Sequence, residues 1–261
     1  MLSLFRILRR HRDLLYMLTL RDIKVKYKQS VMGFFWAILM PLIITSAGVV
    51  VKVGLAKVAG RPIRFEEVLS VSVKALPWAF FVATIRFATV CLTANQNLVT
   101  KIAFPRAVFP LAAVASQLID FCVAGVVLVL VFIFSPLRVS IDLLYVPLLI
   151  AILIAQLCGM ALLFSAANLF FRDVKYIVEV ILTFAIFFTP VFYDASLFGK
   201  WGQLLLLNPV APILEGFSAA IVNHHAPNLG WTLYAAVWGV VLFFGGSALF
   251  QQLEPKFAES I

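Results

Sequence analysis

Long apolar stretches alternate with short polar segments along most of the chain. A helix needs about 20 mostly apolar residues to cross the hydrocarbon core of a bilayer. The stretches of about that length predict six membrane-spanning helices, at 31–53, 72–94, 108–134, 144–168, 177–194 and 230–250. Since helices satisfy their own backbone hydrogen bonds in lipid, the expected fold class is all-α, a polytopic membrane protein.

One further apolar stretch, 204–222, does not fit a simple crossing because it contains Pro209, Pro212 and Glu215. Proline interrupts the helical hydrogen-bond ladder, and a carboxylate in the middle of a bilayer is costly. This pattern predicts a pair of short re-entrant helices before the last span, within an external region at 195–229.

The distribution of lysine and arginine predicts the orientation. Thirteen of these residues fall at the two termini and in the loops 96–107 and 170–176, and seven fall on the opposite side. Because cytoplasmic segments of membrane proteins are enriched in basic residues, both termini are expected in the cytoplasm, with 253–261 as a cytoplasmic tail. The net charge of +9 therefore reflects orientation and does not indicate a nucleic-acid partner.

The first 20 residues have an amphipathic pattern. At 100° per residue, one face is mostly apolar and the other is basic; the first face consists of Leu4, Ile7, Leu8, His11, Leu14, Leu15 and Leu18. This pattern is typical of a basic helix lying on the cytoplasmic membrane surface, within the region 1–30. A cytoplasmic helix packed on protein remains the alternative.

The composition excludes most soluble enzymes. The chain is 63% hydrophobic and 13% charged, whereas soluble domains are about 45–50% apolar and about 25% charged. The sequence contains no phosphate-binding loop, no HExxH motif and no G-x-S-x-G motif. We therefore expect this chain to have no catalytic residue, no metal site and no cofactor of its own.

Three ionisable residues lie within predicted spans: Arg86, Asp120 and Glu179. Such residues usually face a bundle interior and find partners. We predict an ion pair between Arg86 and Asp120, on the second and third spans, with Gln117 on the same helical face as Asp120.

Several local motifs go beyond a six-helix membrane protein. They are RDIKVKYKQSVMGFFWAILMPL at 21–42, NQNLVTKIAFPRAVFP at 95–110, NLFFRDVKYIVEVILTFAIFFTPVFY at 168–193, LNPVAPILEGF at 207–217 and LEPKFAES at 253–260. In this order they resemble the ABC-2 family of ABC-transporter membrane subunits, in the polysaccharide-exporting branch that includes O-antigen and teichoic-acid export permeases.

The resemblance implies a domain organisation and two contacts with a separate ATPase. Region 1–30 would be the gate helix, and 31–252 the six-helix transmembrane domain. The loop 95–107 would dock on the ATPase through Asn97, Leu98, Lys101, Phe104, Pro105 and Arg106, with Phe104 buried in a cleft of that subunit. A second turn, with Arg172 and Asp173, would also lie near the ATPase.

Ordinary basic enrichment of cytoplasmic loops would explain Lys101 and Arg106 as well, and the Arg172–Asp173 pair could equally cap neighbouring helices.

The resemblance also implies a channel and its partners. Aromatic side chains offer flat faces to sugar rings, and the candidate channel or gate residues are Phe34, Phe35, Trp36, Trp78, Phe80, Phe81 and Tyr193. Lipid-facing and interfacial aromatic residues are the alternative for each. The expected assembly has two copies of this chain and two ATPase subunits, which bind ATP and Mg²⁺, in a bacterial inner membrane. Its cargo would be a lipid-linked polysaccharide; a teichoic-acid exporter and an ABC-2 drug exporter are the alternative functions.

Overall fold

The computed structural model describes residues 10–28, 33, 35–58, 60, 62–101, 104–133 and 140–258, and within these ranges the chain is helical without β-strands. The α-helices are α1 (Arg12–Tyr27), α2 (Phe35–Val58), α3 (Phe65–Ala94), α4 (Gln96–Lys101), α5 (Val108–Ile133), α6 (Tyr145–Phe170), α7 (Val174–Phe188), α8 (Gly202–Leu206), α9 (Ala211–Ile221) and α10 (Leu229–Leu253). Short 3-10 helices cover Ile141–Leu144, Ala195–Trp201 and Glu254–Ala258. The expected all-α membrane fold is confirmed.

Five of the described helices are long and apolar enough to cross a membrane. They are Phe35–Val58, Phe65–Ala94, Val108–Leu130, Ile141–Phe170 and Leu229–Phe257. The predicted span at 177–194 corresponds to α7, which has 15 residues and ends at Phe188. At about 1.5 Å per residue, α7 is roughly 22 Å long, shorter than the ~30 Å hydrocarbon core. Residues 189–194 continue this segment as turns.

Helix α3 is the centre of the bundle. It contacts α2, α5, α6, α7 and α9, and its buried side chains include Trp78, Phe80 and Ile85. One apolar cluster surrounds this part of α3 and includes α6 and α9. A second cluster lies at the other end of α3 and joins α1, α5, α6 and the C-terminal 3-10 helix.

Helices α6 and α10 pack closely at two glycines. A Cβ atom at Gly159 would lie 2.2 Å from the carbonyl carbon of Leu242, and one at Gly246 would lie 2.5 Å from the carbonyl oxygen of Gly159. Small residues allow this backbone approach between membrane helices. The contact fixes α10, whose C-terminal end carries part of the candidate site.

Side-chain contacts divide the bundle into two ends. At one end, Asn168 contacts Thr93, and the ring of Phe170 packs on Phe257. We call this the docking end; it also includes α4. At the other end, Lys52 and Lys74 both contact Asp194, and we call this the outer end.

Two predictions about local structure can be compared with these helices. The segment 204–222 contains two short helices, α8 and α9, as its prolines predicted. In the N-terminal pattern, Leu4, Ile7 and Leu8 lie outside the described residues. The described part of the apolar face packs on protein: Leu18 is buried, and Leu14 and Leu15 pack against the apolar cluster at the docking end. The packing alternative therefore describes this part of α1.

Candidate functional site

A cavity of about 360 Å³ lies between α1, α2, α3 and α5. Its mouth includes Trp36, Met40 and Phe87, which are all substantially exposed. Its inner wall includes Phe80 and Gln117, which are buried. The cavity thus combines an apolar, aromatic wall with a few polar groups, as small-molecule sites usually do.

The polar groups of this cavity join α1 to α5. The ammonium group of Lys26 forms an ion pair with Asp120 and donates a hydrogen bond to Gln117 Oε1 at 3.2 Å. The hydroxyl group of Tyr27 donates to the other oxygen of Asp120 at 2.6 Å. Gln117 and Asp120 do lie on the same face of α5, as predicted, but their cation comes from the N-terminal helix.

The predicted Arg86–Asp120 ion pair is wrong. Both side chains line the cavity, but among the described residues each has a different ionic partner. Arg86 contacts Glu179 on α7, with 2.6 Å between Nη2 and Oε1, while Asp120 contacts Lys26. Lys26 was not predicted as the partner of Asp120 because region 1–30 was expected to lie on the membrane surface.

The aromatic candidates fall into three groups. Trp36 and Phe80 line the cavity. Trp78 and Phe81 stack on each other with centroids 5.5 Å apart and are buried on another side of α3. Both line a smaller cavity there, of about 210 Å³, together with Ile181, and their place in a channel stays a prediction.

The remaining aromatic candidates lie away from this cavity or beyond the description. Phe35 is exposed at the start of α2. Tyr193 is at the outer end, where its hydroxyl donates to the carbonyl of Phe187 at 2.6 Å. Phe34 lies outside the described residues.

At the docking end, the segment after α4 is held by the chain itself. The guanidinium of Arg106 donates to the carbonyl oxygens of Val99, at 3.2 Å, and Glu254, at 2.6 Å. The backbone N–H of Arg106 donates to the Glu254 carboxylate at 2.6 Å. Phe104 packs on Phe109, with ring centroids 5.4 Å apart.

These contacts involve two residues of the predicted docking set, whose contact with an ATPase stays a prediction. Phe104 and Arg106 were expected to reach into an ATPase, but here both fix the loop onto the protein's own helices. Pro105 and Leu98 are half-buried beside them, and Asn97 is exposed. The side chain of Lys101 lies outside the described residues.

The second predicted docking turn is exposed. Arg172 and Asp173 both face away from the protein, at the start of α7. Asp173 occupies the N-cap position of α7, but its side chain makes no capping hydrogen bond. The alternative that this pair caps the helix by side-chain bonding is therefore not supported.

An ionic network at the outer end was not predicted. Lys74 is buried, with 1% of its side chain exposed, and its Nζ lies 2.6 Å from Asp194 Oδ1 and 3.0 Å from Glu215 Oε1. Lys52 contacts the second oxygen of Asp194 at 2.8 Å, and Glu215 also accepts from the N–H of Ala195 at 3.0 Å. From the sequence, both lysines were expected only as external charges. The signal for the network is that two lysines and two carboxylates all fall at the same predicted end of the apolar segments.

The network keeps Asp194 ionised. Burial of the carboxyl group acts to raise its pKa, but Lys74 and Lys52 outweigh this effect and lower the pKa to about 2. The two ammonium and two carboxylate groups balance in charge. They tie the external ends of α2 and α3 to the segment after α7 and to α9.

Within the described part of the chain, no group of three His, Cys, Asp or Glu side chains is arranged to hold a metal ion.

Comparison with known proteins identifies the family. Residues 13–222 match the sequence profile of the ABC-2 type transporter family. The chain belongs to the ABC-2 type transporter family. It is also 29% identical over 265 residues to an O-antigen export system permease protein, RfbA, of Myxococcus xanthus, a match that covers 100% of both chains. A second relative, the O-antigen export system permease protein RfbA of Klebsiella pneumoniae, is 28% identical over 254 residues, covering 95% of this chain and 94% of the relative.

Membership of the ABC-2 family confirms the resemblance found from the motifs and identifies the chain as a multi-pass membrane protein of a transporter. The matched range, residues 13–222, includes the cavity, the segment after α4 and the outer ionic network.

Neutralising Asp120 is expected to loosen α1 from α5 in this ABC-2 protein. Asp120→Asn removes the ionic partner of Lys26 and weakens the Tyr27 contact. Hydrogen bonds to charged groups contribute about 1.5–3 kcal/mol, so local opening of α1 should become roughly ten times more frequent. Limited trypsin digestion of the purified protein should show faster cleavage at the lysines of α1.

The control for this change is Asp142→Asn, which removes a carboxylate that accepts a local hydrogen bond from the Ser140 hydroxyl at 2.6 Å. Equal cleavage rates in wild-type protein, Asp120→Asn and Asp142→Asn would contradict a role for Asp120 in holding α1.

Proposed function

We propose that the chain is the membrane-spanning permease subunit of an ABC exporter that moves a lipid-linked polysaccharide of the O-antigen type across the bacterial inner membrane. Both termini lie in the cytoplasm. ATP and Mg²⁺ bind to a separate ATPase subunit, and this chain provides the passage. The observation that carries the proposal is the similarity over essentially the whole chain to O-antigen export permeases from two different bacteria.

The docking end supports a separate ATPase partner. Three features converge there: the exposed Asn97 on α4, the exposed Arg172 and Asp173 before α7, and the loop fixed by Arg106. The loop is joined to the end of α10 through hydrogen bonds between Arg106 and Glu254. A movement imposed by an ATPase on this surface would therefore be transmitted to α10 and, through the glycine contact, to α6. Two copies of the chain would bind two ATPase subunits.

The open face of the bundle supports a homodimer. Arg86 and Glu179 form an ion pair whose side chains are 43% and 52% exposed, within helices α3 and α7 of a membrane protein. An ion pair facing lipid at this depth is costly. Helix α7 also exposes apolar side chains along its length: Ile177, Val180, Ile181, Phe184, Phe187 and Phe188. A second copy facing this side would cover the apolar surface and enclose the ion pair in a shared polar passage.

Deleting the gene tests the proposed function. Loss of the chain should abolish surface display of the polysaccharide and leave lipid-linked polymer inside the cell. A plasmid copy of the gene should restore surface display of the polysaccharide only together with an ATPase that hydrolyses ATP. Surface polymer is measured by glycan staining of intact cells, and total polymer by staining of lysed cells. Normal display in the deletion strain, or rescue with a hydrolysis-deficient ATPase, would overturn the proposal.

The docking loop gives a more local prediction. Arg106→Ala removes two side-chain hydrogen bonds from a charged donor, which together contribute about 3–6 kcal/mol to the fixed loop. We expect the ATPase subunit that co-purifies with the chain to fall by about tenfold, while the amount of extracted permease changes little. Lys200→Ala is the matched control, because it removes an exposed positive charge at the outer end. Unchanged co-purification with Arg106→Ala would show that the Glu254 contact does not order the docking surface.

A further inference from the structure

Gln117 has an unused hydrogen-bond donor on the wall of the cavity. The residue is 2% exposed, and its Oε1 accepts from Lys26, which leaves Nε2 as the free donor. Nε2 is buried and has no hydrogen-bond acceptor among the described residues. A buried donor without a partner costs about 1–3 kcal/mol. Because Nε2 is closed to water in this conformation, the amide reaches an acceptor on a bound molecule when its side chain turns toward the cavity that Gln117 lines.

The walls beside Gln117 suit a molecule with flat apolar faces. Aromatic rings of α2, α3 and α5 surround the same space; they are Trp36, Phe80, Phe87 and Phe121. The volume of about 360 Å³ is near the lower end of the ~300–1,000 Å³ found for small-molecule sites. Aromatic rings offer apolar area and few strong hydrogen bonds. The cavity therefore fits one compact ring-sized group and not a folded polymer chain.

The charges on the cavity wall argue against a phosphate group. Asp120 would repel an anion, and it already neutralises Lys26. Arg86 is likewise paired with Glu179. Among the described lining residues, every cation therefore has an anionic partner. The cavity wall then offers two kinds of polar group to a ligand. The Gln117 amide can donate a hydrogen bond, and the Asp120 carboxylate can accept one.

A hydroxyl group matches this set because it both donates and accepts. We propose that Gln117 and Asp120 form the polar floor of a subsite for one sugar ring of the translocated glycan. The aromatic wall packs on the ring, Gln117 Nε2 donates to a ring hydroxyl, and Asp120 accepts from a neighbouring one. This subsite deepens the proposed function and rests on it. The subsite lets the permease distinguish sugars by their hydroxyl groups, since a site that hydrogen-bonds a hydroxyl discriminates against sugars that lack it.

Photo-cross-linking in living cells tests the subsite. A p-benzoylphenylalanine residue replaces Met40, which is exposed at the cavity mouth, or Ile181, which is exposed on the open face of α7. Adducts with the glycan are detected with an antibody against the surface polymer. Both positions should give adducts, since Ile181 faces the proposed shared passage and Met40 faces the subsite.

The Gln117→Leu variant should then lower the Met40 adduct by about fivefold, as expected for the loss of one neutral hydrogen bond, and leave the Ile181 adduct unchanged. Ser116→Ala is the matched control: this neighbouring hydroxyl is buried and donates within its own helix to Ala113 at 2.9 Å. If Gln117→Leu does not accumulate, Gln117→Glu keeps the size and the acceptor for Lys26 but removes the amide donor. It should give the same loss.

Two results would overturn the subsite while leaving the proposed function intact. One is a Met40 adduct that Gln117→Leu and Gln117→Glu leave unchanged. The other is a Met40 position that captures only phospholipid while Ile181 captures glycan. Failure of the proposed function has a different signature, namely no glycan adduct at either position together with normal surface polymer in the deletion strain.

Discussion

Adding a single methyl group at Gly159 is expected to destabilise the protein by at least about 3 kcal/mol, the upper part of the usual range for overpacking. The new Cβ atom of Gly159→Ala would lie 2.2 Å from both the carbonyl carbon and the carbonyl oxygen of Leu242. These are backbone atoms, so no rotamer change can relieve the contact. Helix α10 must move away from α6, which opens part of the core. Thermal unfolding in detergent should show a decrease in Tm of about 6–12 °C.

Gly245→Ala is the matched control, with the opposite expected sign. Gly245 lies on α10 next to the Gly246 contact, but a Cβ atom there would have no neighbour within 4 Å. Alanine is a better helix former than glycine by about 0.5–1 kcal/mol, so this variant should be slightly stabilised. Equal effects of the two substitutions would mean that helix propensity, and not the close contact, decides the stability of this region.

The glycine contact also bears on transport. Helix α10 ends at Leu253, directly before Glu254, and Glu254 holds Arg106 of the docking loop. A displaced α10 therefore displaces the loop. Gly159→Ala should accordingly reduce ATPase co-purification as well as stability, whereas Gly245→Ala should change neither by much.

The main helices could be predicted from the sequence because their apolar stretches are long enough to cross a bilayer. The apolar stretches gave the order of the main helices, and Pro209 and Pro212 gave the break in 204–222. The end of the span predicted at 177–194 was placed too late. Pro190 disfavours a helical conformation in the residue before it, and Thr189 is extended, with φ −115° and ψ 135°. Asp194, the last residue of that predicted span, is bound by two lysines. Hydropathy does not register such an interaction.

The side-chain pairs could not be predicted because the sequence does not show which helices lie side by side. Arg86 lies eight residues before the end of α3, and Asp120 lies twelve residues after the start of α5. At ~1.5 Å per residue these positions are roughly 12 and 18 Å from the docking end, so the two charges differ in height. Glu179, five residues into α7, is closer in height to Arg86. Lys26 reaches Asp120 only because α1 packs along α5.

The docking motif shows a different limit. Phe104, Pro105 and Arg106 lie at the end of the bundle that also contains the 3-10 helix Glu254–Ala258. Sequence does not tell which way a side chain points, however, and both Phe104 and Arg106 contact their own protein. They shape the surface and leave its exposed part to Asn97, Arg172 and Asp173.

Lys74→Met is expected to be strongly destabilising because it leaves the outer ionic network with a net negative charge. Lys52 can still neutralise Asp194, but Glu215 loses its ammonium partner. Removing one partner of a buried ion pair costs about 3–5 kcal/mol. The lower figure applies here since the Asp194 and Glu215 side chains are 36% and 29% exposed. The Tm for thermal unfolding in detergent should decrease by about 6–12 °C. The amount of polymer displayed on the cell surface should decrease with it.

The double variant Lys74→Met with Glu215→Gln separates charge balance from packing. It restores neutrality, with Lys52 facing Asp194, and Gln keeps a carbonyl oxygen for the N–H of Ala195. We expect it to recover at least half of the lost stability, an interaction energy that a double-mutant cycle measures directly. Lys57→Met, an exposed lysine on the same helix as Lys52, should be near neutral. If Lys74→Met costs no more than Lys57→Met, or if Glu215→Gln gives no rescue, the network does not hold the outer end of α2 and α3 to α9.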